Sequence, residues 1–335
     1  MKHINVALFV PDEGCPHRCS FCNQKTISGS VKKLTTDDVH KSVATAIEST
    51  VDCTDGEIAF FGGSFTAIER EYMVSLLKAA NKYIKSGQFK GIRISTRPDC
   101  IDEQVLDLLK KYGVTSIELG CQSMSDRVLA LNERGHNAEC IAYSAKLIKS
   151  YGFELGVQMM TGLYGDDDET AIETAEKLIA LNPDTARIYP TIVLENTKLA
   201  ALYKSGSYKP QTLDEAVALC SKLLKMFHKA NVKVIRLGLH SGGTVEEGYL
   251  AGAYHPAFRE LCESRIYLDN MLDEIKRKNI SKGEITVTAS GRYISQLVGQ
   301  AGSNRKELER LGYKCKILQD NSYKQYQINI QGSTR

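Results

Sequence analysis

No run of apolar residues in this chain is long enough to cross a bilayer. Nor is there a signal-peptide cleavage site near the start, where Met1-Lys2-His3 leads through a short apolar run into Pro11-Asp12-Glu13. Low-complexity stretches are absent too. These absences predict a cytoplasmic protein with no membrane partner. In that compartment the ten cysteines point to metal or redox chemistry rather than disulfides. The composition is otherwise ordinary for a globular protein, 42% hydrophobic and 25% charged. A length of 335 residues suffices for one large domain with a smaller one beside it.

A fourth nearby cysteine is missing where three crowd together. Cys15, Cys19 and Cys22 are spaced C-x3-C-x2-C directly after the apolar run Ile4 to Val10, and the next cysteine is Cys53. Three thiolates on one short loop can hold three irons of a cubane [4Fe–4S] cluster, whereas all-cysteine sites recruit a fourth Cys. The remaining iron is then open to a substrate or cofactor. Zinc is the competing reading, because His17 lies inside the loop. Against it, structural zinc sites pair ligands on separated knuckles, and Cys15 and His17 are a cramped bite. Cys53, Cys100, Cys121, Cys140, Cys220, Cys262 and Cys315 show no second cluster spacing and read mainly as small buried residues. Cys121 is the exception: following a strand beside Gln122, it is a candidate hydrogen donor. Tyr189 is similarly placed but reads as core.

From residue 4 to about 237, strand patterns alternate with helical periodicity. The strand candidates are Ile4–Val10, Glu57–Phe61, Gly91–Thr96, Ser116–Leu119, Phe153–Met160, Thr185–Pro190 and Lys233–Leu237. Helices fall at Thr36–Thr50, Arg70–Lys85, Asp102–Tyr112, Ala138–Tyr151 and Glu169–Leu181. Repeated βα units predict a parallel sheet. Polar and glycine motifs recur just after strands, at Gly62-Gly63-Ser64, Arg97-Pro98-Asp99, Gly120-Cys121-Gln122 and Thr161-Gly162. That distribution favours a partial (β/α)6 TIM-like barrel with one active face over a doubly wound sheet with a single switch point. Glycines at 62 and 63 let a backbone approach a ligand closely. Arg97 can hold a carboxylate or pair with Asp99.

The last segment has a different grammar and predicts a small basic α+β domain. From Ser281 to Arg335 nine Lys/Arg stand against four Asp/Glu, so this stretch carries +5 of an overall +3 and the rest −2. A polyanionic partner and a solvated face both fit such a charge. An apolar helix running into Gly299-Gln300-Ala301-Gly302 and a second helix resembles the KH module, whose G-x-x-G loop clamps single-stranded nucleic acid. Arg305 and Lys306 follow directly; a plain helix-turn-helix packing motif is the alternative. The expected units are therefore a barrel over 1–237, an extension over 238–280 packing on it, and the basic module over 281–335.

Taken together, these residues resemble the radical SAM enzymes, whose hallmark is the C-x3-C-x2-C loop with an aromatic before the third Cys, here Phe21. More narrowly, the chain is similar to the radical SAM core of the catalytic subunit of Elongator and its bacterial relatives. The resemblance rests on Ser95-Thr-Arg-Pro-Asp99, Glu118-Leu-Gly-Cys-Gln-Ser123 with Asp126-Arg-Val-Leu129, Asn132-Glu-Arg-Gly-His136, and Ala186-Arg-Ile-Tyr-Pro-Thr191 leading to Gly206-Ser-Tyr-Lys-Pro210. It covers about residues 5–265. Gly238-Leu-His240 and Ala251-Gly-Ala-Tyr-His-Pro256 look like the extension of a bacterial subgroup.

The resemblance implies that Cys15, Cys19 and Cys22 ligate a [4Fe–4S] cluster whose open iron binds S-adenosylmethionine. Gly62, Gly63 and Ser64 then fall at the family's glycine motif, which contacts the methionine amine. Gln122 and Arg134 match positions reaching the ribose and carboxylate in relatives such as oxygen-independent coproporphyrinogen oxidase. Two departures stand out: Ser95 replaces a frequent Glu, and Thr161-Gly-Leu-Tyr-Gly165 replaces Pro-Gly-Leu-Pro-Gly. The chain also ends at Arg335 without room for an acetyltransferase domain, so unaided it is not expected to complete acetyl-dependent wobble-uridine chemistry. The expected function is reductive cleavage of S-adenosylmethionine, driven by a flavodoxin- or ferredoxin-type donor and directed at tRNA or another RNA. A small-molecule substrate is the first alternative. A non-catalytic, metal-containing RNA-binding protein is the second.

Overall fold

A computed structural model describes residues 5–10, 15, 19–23, 26, 32–50, 52–239 and 243–332. His17 and His240 lie outside the described residues. In chain order the elements begin β1 (Asn5–Val10), α1 (Thr36–Ser49), β2 (Glu57–Gly62), α2 (Arg70–Lys85), β3 (Gly91–Thr96), α3 (Glu103–Lys111) and β4 (Val114–Gln122). They continue with α4 (Asp126–Leu131), α5 (Ala138–Ser150), β5 (Glu154–Thr161), α6 (Asp168–Ala180), β6 (Thr185–Pro190), β7 (Ile192–Leu194), α7 (Lys198–Lys204), α8 (Leu213–Lys229) and β8 (Lys233–Leu237). The remainder is α9 (Gly243–Glu247), β9 (Tyr249–Gly252), α10 (Phe258–Arg277), β10 (Gly283–Ala289), α11 (Ile294–Val298), α12 (Ser303–Arg310), β11 (Tyr313–Gln319) and β12 (Asn329–Gly332).

Seven strands form one all-parallel sheet in the order β1-β2-β3-β4-β5-β6-β8. The expected partial barrel is present, with a seventh strand beyond the six βα units. β1 and β8 are its free edges. The helices start where local capping dictates: Thr35 with Asp38, and Thr212 with Glu215, each make a reciprocal capping box at the heads of α1 and α8. The apolar residues of the strands, among them Leu8, Ile58, Phe60, Ile92, Ile94, Ile117, Leu119, Leu155, Val157 and Ile188, pack in one core with the apolar stripes of these helices.

The other face of the sheet is polar and closes on itself through charge. Arg93 of β3 binds Glu57 of β2 at 2.7 Å and Glu154 of β5 at 2.8 Å, with Glu118 at 3.4 Å. Arg187 of β6 holds Glu118 of β4 in a two-point contact at 2.6 and 2.9 Å. Gln158 adds a bond to Glu118 at 2.8 Å. The Arg187 guanidinium also lies 4.9 Å from the Phe61 ring centroid, so β2 and β6 meet across the concave face. A flat sheet would keep those strands far apart; the contact requires the curl of a half-barrel.

A second core sits under the three-stranded sheet β11-β10-β12 and includes Ile285, Val287, Leu297, Leu308, Cys315 and Ile330. The helix α10 serves both cores. Its first half gives Phe258, Cys262 and Ile266 to the barrel core, and its second half gives Tyr267, Met271 and Ile275 to the smaller one.

Replacing Arg93 with Met leaves Glu57 and Glu118, which are 0% and 1% exposed, with a missing cation. The expected loss is about 3–5 kcal/mol, read as a lower urea midpoint at unchanged slope. An unchanged midpoint would mean that the lumen carboxylates do not depend on Arg93.

Candidate functional site

The cysteine loop is fastened at the carboxyl end of the barrel from several sides. Asn132, fully buried after α4, accepts the Ser20 hydroxyl at 2.8 Å, and its own amide donates to Val128 O and Tyr164 O at 2.8 and 2.9 Å. The Ser20 backbone N–H donates to Asn132 O at 3.2 Å, and Ser20 O accepts from the Leu199 N–H of α7 at 2.8 Å. Phe21 packs against the small apolar cluster that contains Val193, Leu199 and Tyr208. Asn23 donates to Glu195 O at 3.0 Å. Cys19 and Cys22 are then tied into a tight turn by the Cys22 N–H to Cys19 O bond of 3.1 Å.

Beside this loop the ends of β1 to β4 converge. Gly62 has φ +114°, and a Cβ there would stand 2.5 Å from Val10 O, so only glycine lets the turn seat on the end of β1. The Gly63 N–H reaches the same carbonyl at 3.1 Å. The Ser64 N–H faces the Cys15 thiol, and the Ser64 hydroxyl pairs with Thr96 at 2.8 Å and accepts from the Arg97 N–H at 3.3 Å.

Two buried arginines complete the cluster. Arg134 donates through Nη1 to Cys19 Sγ at 3.0 Å and through Nη2 to Gly120 O at 2.6 Å. Its carbonyl in turn accepts from Arg97 Nη2. Arg97 is locked by Asp99 at 2.9 and 2.8 Å. Burial alone would raise the Asp99 carboxyl, but the neighbouring His136 and the paired Arg97 outweigh it and hold Asp99 well below the usual carboxylate range. His136 lies 3.6 Å from Asp99, and burial pushes its own pKa down. Arg97 Nη1, Arg134 Nε and both His136 nitrogens are sealed from solvent without a hydrogen-bond partner. Buried donors of this kind are costly unless a ligand satisfies them.

Gln122 completes the expected set. It adopts φ +69° at a register shift between β4 and β5, and its amide lies 3.1 Å from where a Gly120 Cβ would stand. Gly62, Gly63, Ser64, Arg97, Gln122, Arg134, Cys15 and Cys19 are thus brought to one end of the sheet. No three of the described His, Cys, Asp and Glu side chains are gathered closely enough to ligate a metal ion. The donor chemistry nevertheless fits an iron–sulfur group: three cysteines outside any disulfide on one short loop, with a guanidinium donating to one of them and unmet buried donors alongside.

One expectation fails here. Cys121 is completely buried in the apolar core, and its thiol is pushed up to about 12 by that burial. Side chains alternate along a strand, so the face that presents Gly120 and Gln122 to the site turns Cys121 away from it. It is a packing residue, not a hydrogen donor. In the small module the helix–G-x-x-G–helix is present, but its glycines differ. A Cβ on Gly299 would meet Ser303 Oγ at 2.4 Å and Ser264 Oγ at 2.9 Å, so this glycine serves packing on α10. A Cβ on Gly302, at φ +75°, would meet nothing within 4 Å, so this position faces open space. Arg305 is exposed and contacts Glu309 at 3.4 Å, and Lys306 is exposed.

The lumen pairs Arg93–Glu57 and Arg187–Glu118, the anchor Asn132 and the partner His136 were not assigned roles from sequence. Their partners lie far away along the chain, and only the run of polar residues at alternate strand positions hinted at them.

A model of the radical SAM superfamily matches residues 10–178, and one of the Radical_SAM C-terminal domain matches residues 183–267. The tRNA uridine(34) acetyltransferase of Methanocaldococcus jannaschii is 29% identical over 185 residues, covering 49% of this chain and 34% of that protein. Human Elongator complex protein 3 is 32% identical over 191 residues, covering 51% of this chain and 35% of that protein. The match therefore spans about a third of the length of these relatives. In structure, the archaeal Methanocaldococcus infernus Elp3 with its N-terminus deleted shares the fold at a TM-score of 0.63 and 22% identity, over 83% of this chain and 63% of that one.

The loop after β5 holds a displaced titration. Asp166 is pushed up to about 7, chiefly by burial, although Gly162 N–H donates to it at 3.1 Å; its Oδ1 has no partner. An unfolded Asp ionises near 3.8. Between those values the folded chain keeps a proton that the unfolded chain has lost, so stability falls as pH rises through this window and levels off above it. Asp166→Asn is expected to remove that fall. Equal stability near pH 4 and a gain on the order of 2 kcal/mol at pH 8 should appear in denaturant titrations; parallel pH profiles would refute the assignment.

Proposed function

The chain belongs to the radical SAM superfamily and is an enzyme, and from that premise we propose that it reductively cleaves S-adenosylmethionine at a [4Fe–4S] cluster to modify a tRNA. Cys15, Cys19 and Cys22 would hold the cluster. Once bound, the cluster and S-adenosylmethionine supply a 5′-deoxyadenosyl radical that abstracts hydrogen from the substrate. The chain's own residues bind and orient. Arg134 donates to the Cys19 sulfur and so fixes the direction in which that ligand points. The unmet Arg97 Nη1 and Arg134 Nε are cations placed for a carboxylate, the Gly62-Gly63-Ser64 turn admits the methionine amine, and Gln122 is within the same mouth.

The observation that carries this reading is the buried arginine pair whose free donors and whose contact to Cys19 meet at one spot. The RNA part rests on two supports. Similar proteins are named for tRNA uridine(34) acetylation, and the last fifty-five residues are basic, with Gly302 at an open turn and Arg305 and Lys306 exposed on the first turn of α12. The acetylating activity of those longer relatives is not part of the proposal. An electron donor of the flavodoxin or ferredoxin type and a cytoplasmic location complete it.

Anaerobic reconstitution with iron and sulfide, followed by S-adenosylmethionine and dithionite, should yield 5′-deoxyadenosine with the wild type and none with Cys19→Ala. Bulk tRNA should raise the yield several-fold. A fully loaded brown protein that forms no 5′-deoxyadenosine would refute the cleavage, and cleavage indifferent to tRNA would refute the substrate.

A further inference from the structure

Each of Arg93, Arg97 and Arg187 at the concave face has a carboxylate: Glu57 and Glu154 for Arg93, Asp99 for Arg97, Glu118 for Arg187. Arg236 of β8 does not. It stands opposite Arg187 in the β6–β8 ladder, which places it on the same face of the sheet. Its guanidinium makes one hydrogen bond, from Nε to Gly238 O at 3.0 Å. The terminal nitrogens bond to no described residue and are not sealed off. Among the described residues, the charges that act on it are those of Arg187 and Arg259, and Tyr189 is the neighbouring hydroxyl. Neither arginine brings a spare anion, because Arg187 is committed to Glu118 and Arg259 to Glu263 at 2.9 Å and Val234 O at 2.9 Å.

Position sharpens the point. Gly120, Gln158, Arg187 and Arg236 are successive partners across β4, β5, β6 and β8, so they form one level of the lumen. Arg134 reaches that level through its bond to Gly120 O. Arg236 therefore faces the arginine–cysteine cluster from the opposite wall, on the edge strand beside the open side of the sheet. A half-buried guanidinium among other cations is unfavourable through both desolvation and repulsion. A long arginine on an ordinary surface relieves this by pointing its head into bulk water. This one is instead near the carboxyl end of β8, on the concave face.

We propose that Arg236 is the substrate anchor: it binds an anionic group of the substrate, a phosphate flanking the target nucleoside, and holds it across the lumen from the cysteine loop. The planar fork of arginine suits two-point contact with a phosphate. The nucleotide part rests on the RNA reading above; the anion part does not.

The test is calorimetric titration of the full-length reconstituted protein with uridine 3′,5′-bisphosphate, uridine and inorganic phosphate at fixed ionic strength. Wild type is compared with Arg236→Gln, Arg236→Lys and, as a control, Lys177→Gln on an exposed helix face. Wild type and the control should bind the bisphosphate at least about tenfold more tightly than uridine, with the preference lost in Arg236→Gln and retained in part in Arg236→Lys. A preference that survives Arg236→Gln in a protein with native circular dichroism overturns the anchor, as does a wild type without preference. If Arg236→Gln fails to fold, a Lys variant indistinguishable from wild type under raised salt overturns it instead, because the lysine point charge lacks the two-point contact. Phosphate binding that depends on Arg236 but gains nothing from the uridine moiety sustains the anchor and refutes the RNA reading alone.

Discussion

Arg93 reaches Glu57 on one side and Glu154 on the other, and Arg187 closes on Glu118 one level above. These bonds cross strands and set the curl that gives the sheet an inside. Apolar side chains filling the same face would have packed it solid, as in closed barrels. Paired charges instead keep the concave face polar while the apolar surface is buried beneath the helices. The arrangement carries a constraint: Arg93 and Arg187 are already used, so a new charge on that face must find a partner or disturb an existing pair. This explains why the departures from pairing (Arg97 Nη1, Arg134 Nε and Arg236) are informative about function.

Much of the architecture was legible because local patterns were consistent. The strand runs and the helices over 70–85 and 138–150 fall within a residue or two of where apolar periodicity puts them, except β4, which runs three residues beyond the expected Leu119. The cysteine loop and the glycine turn were visible as spacing. Hidden from sequence were α8 and α10, which the periodicity reading passed over, and every pair in the lumen. Glu118 and Arg187 are 69 residues apart, and nothing local marks them as partners. Cys121 shows a different failure. Proximity to Gln122 along the chain suggested a shared site, while the two-residue repeat of a strand puts neighbours on opposite faces. That alternation was available in the sequence.

The G-x-x-G loop shows how one motif can divide its labour. Asn304 bonds to Ser264 O and Leu297 O at 2.8 and 3.0 Å, closing the space beneath Gly299. Both glycines sit at positive φ, +82° and +75°, but side chains close around Gly299 and leave the space at Gly302 bare. A sequence pattern scores both glycines alike; packing adds a second requirement at the first.

The helix α10 has an implication for how this chain behaves as a unit. Because consecutive turns of one helix belong to two cores, the small sheet is not a passenger on the barrel. Deleting it would strip cover from Tyr267, Met271 and Ile275 and leave an apolar stripe on a helix whose other half still supports β8 and the barrel. The expected products are aggregation and a loosened edge strand, not a trimmed enzyme. Cooperativity thus reaches from the basic module to the wall that bears Arg236. The two regions should melt together, and dissection by truncation would report on solubility before it reported on recognition.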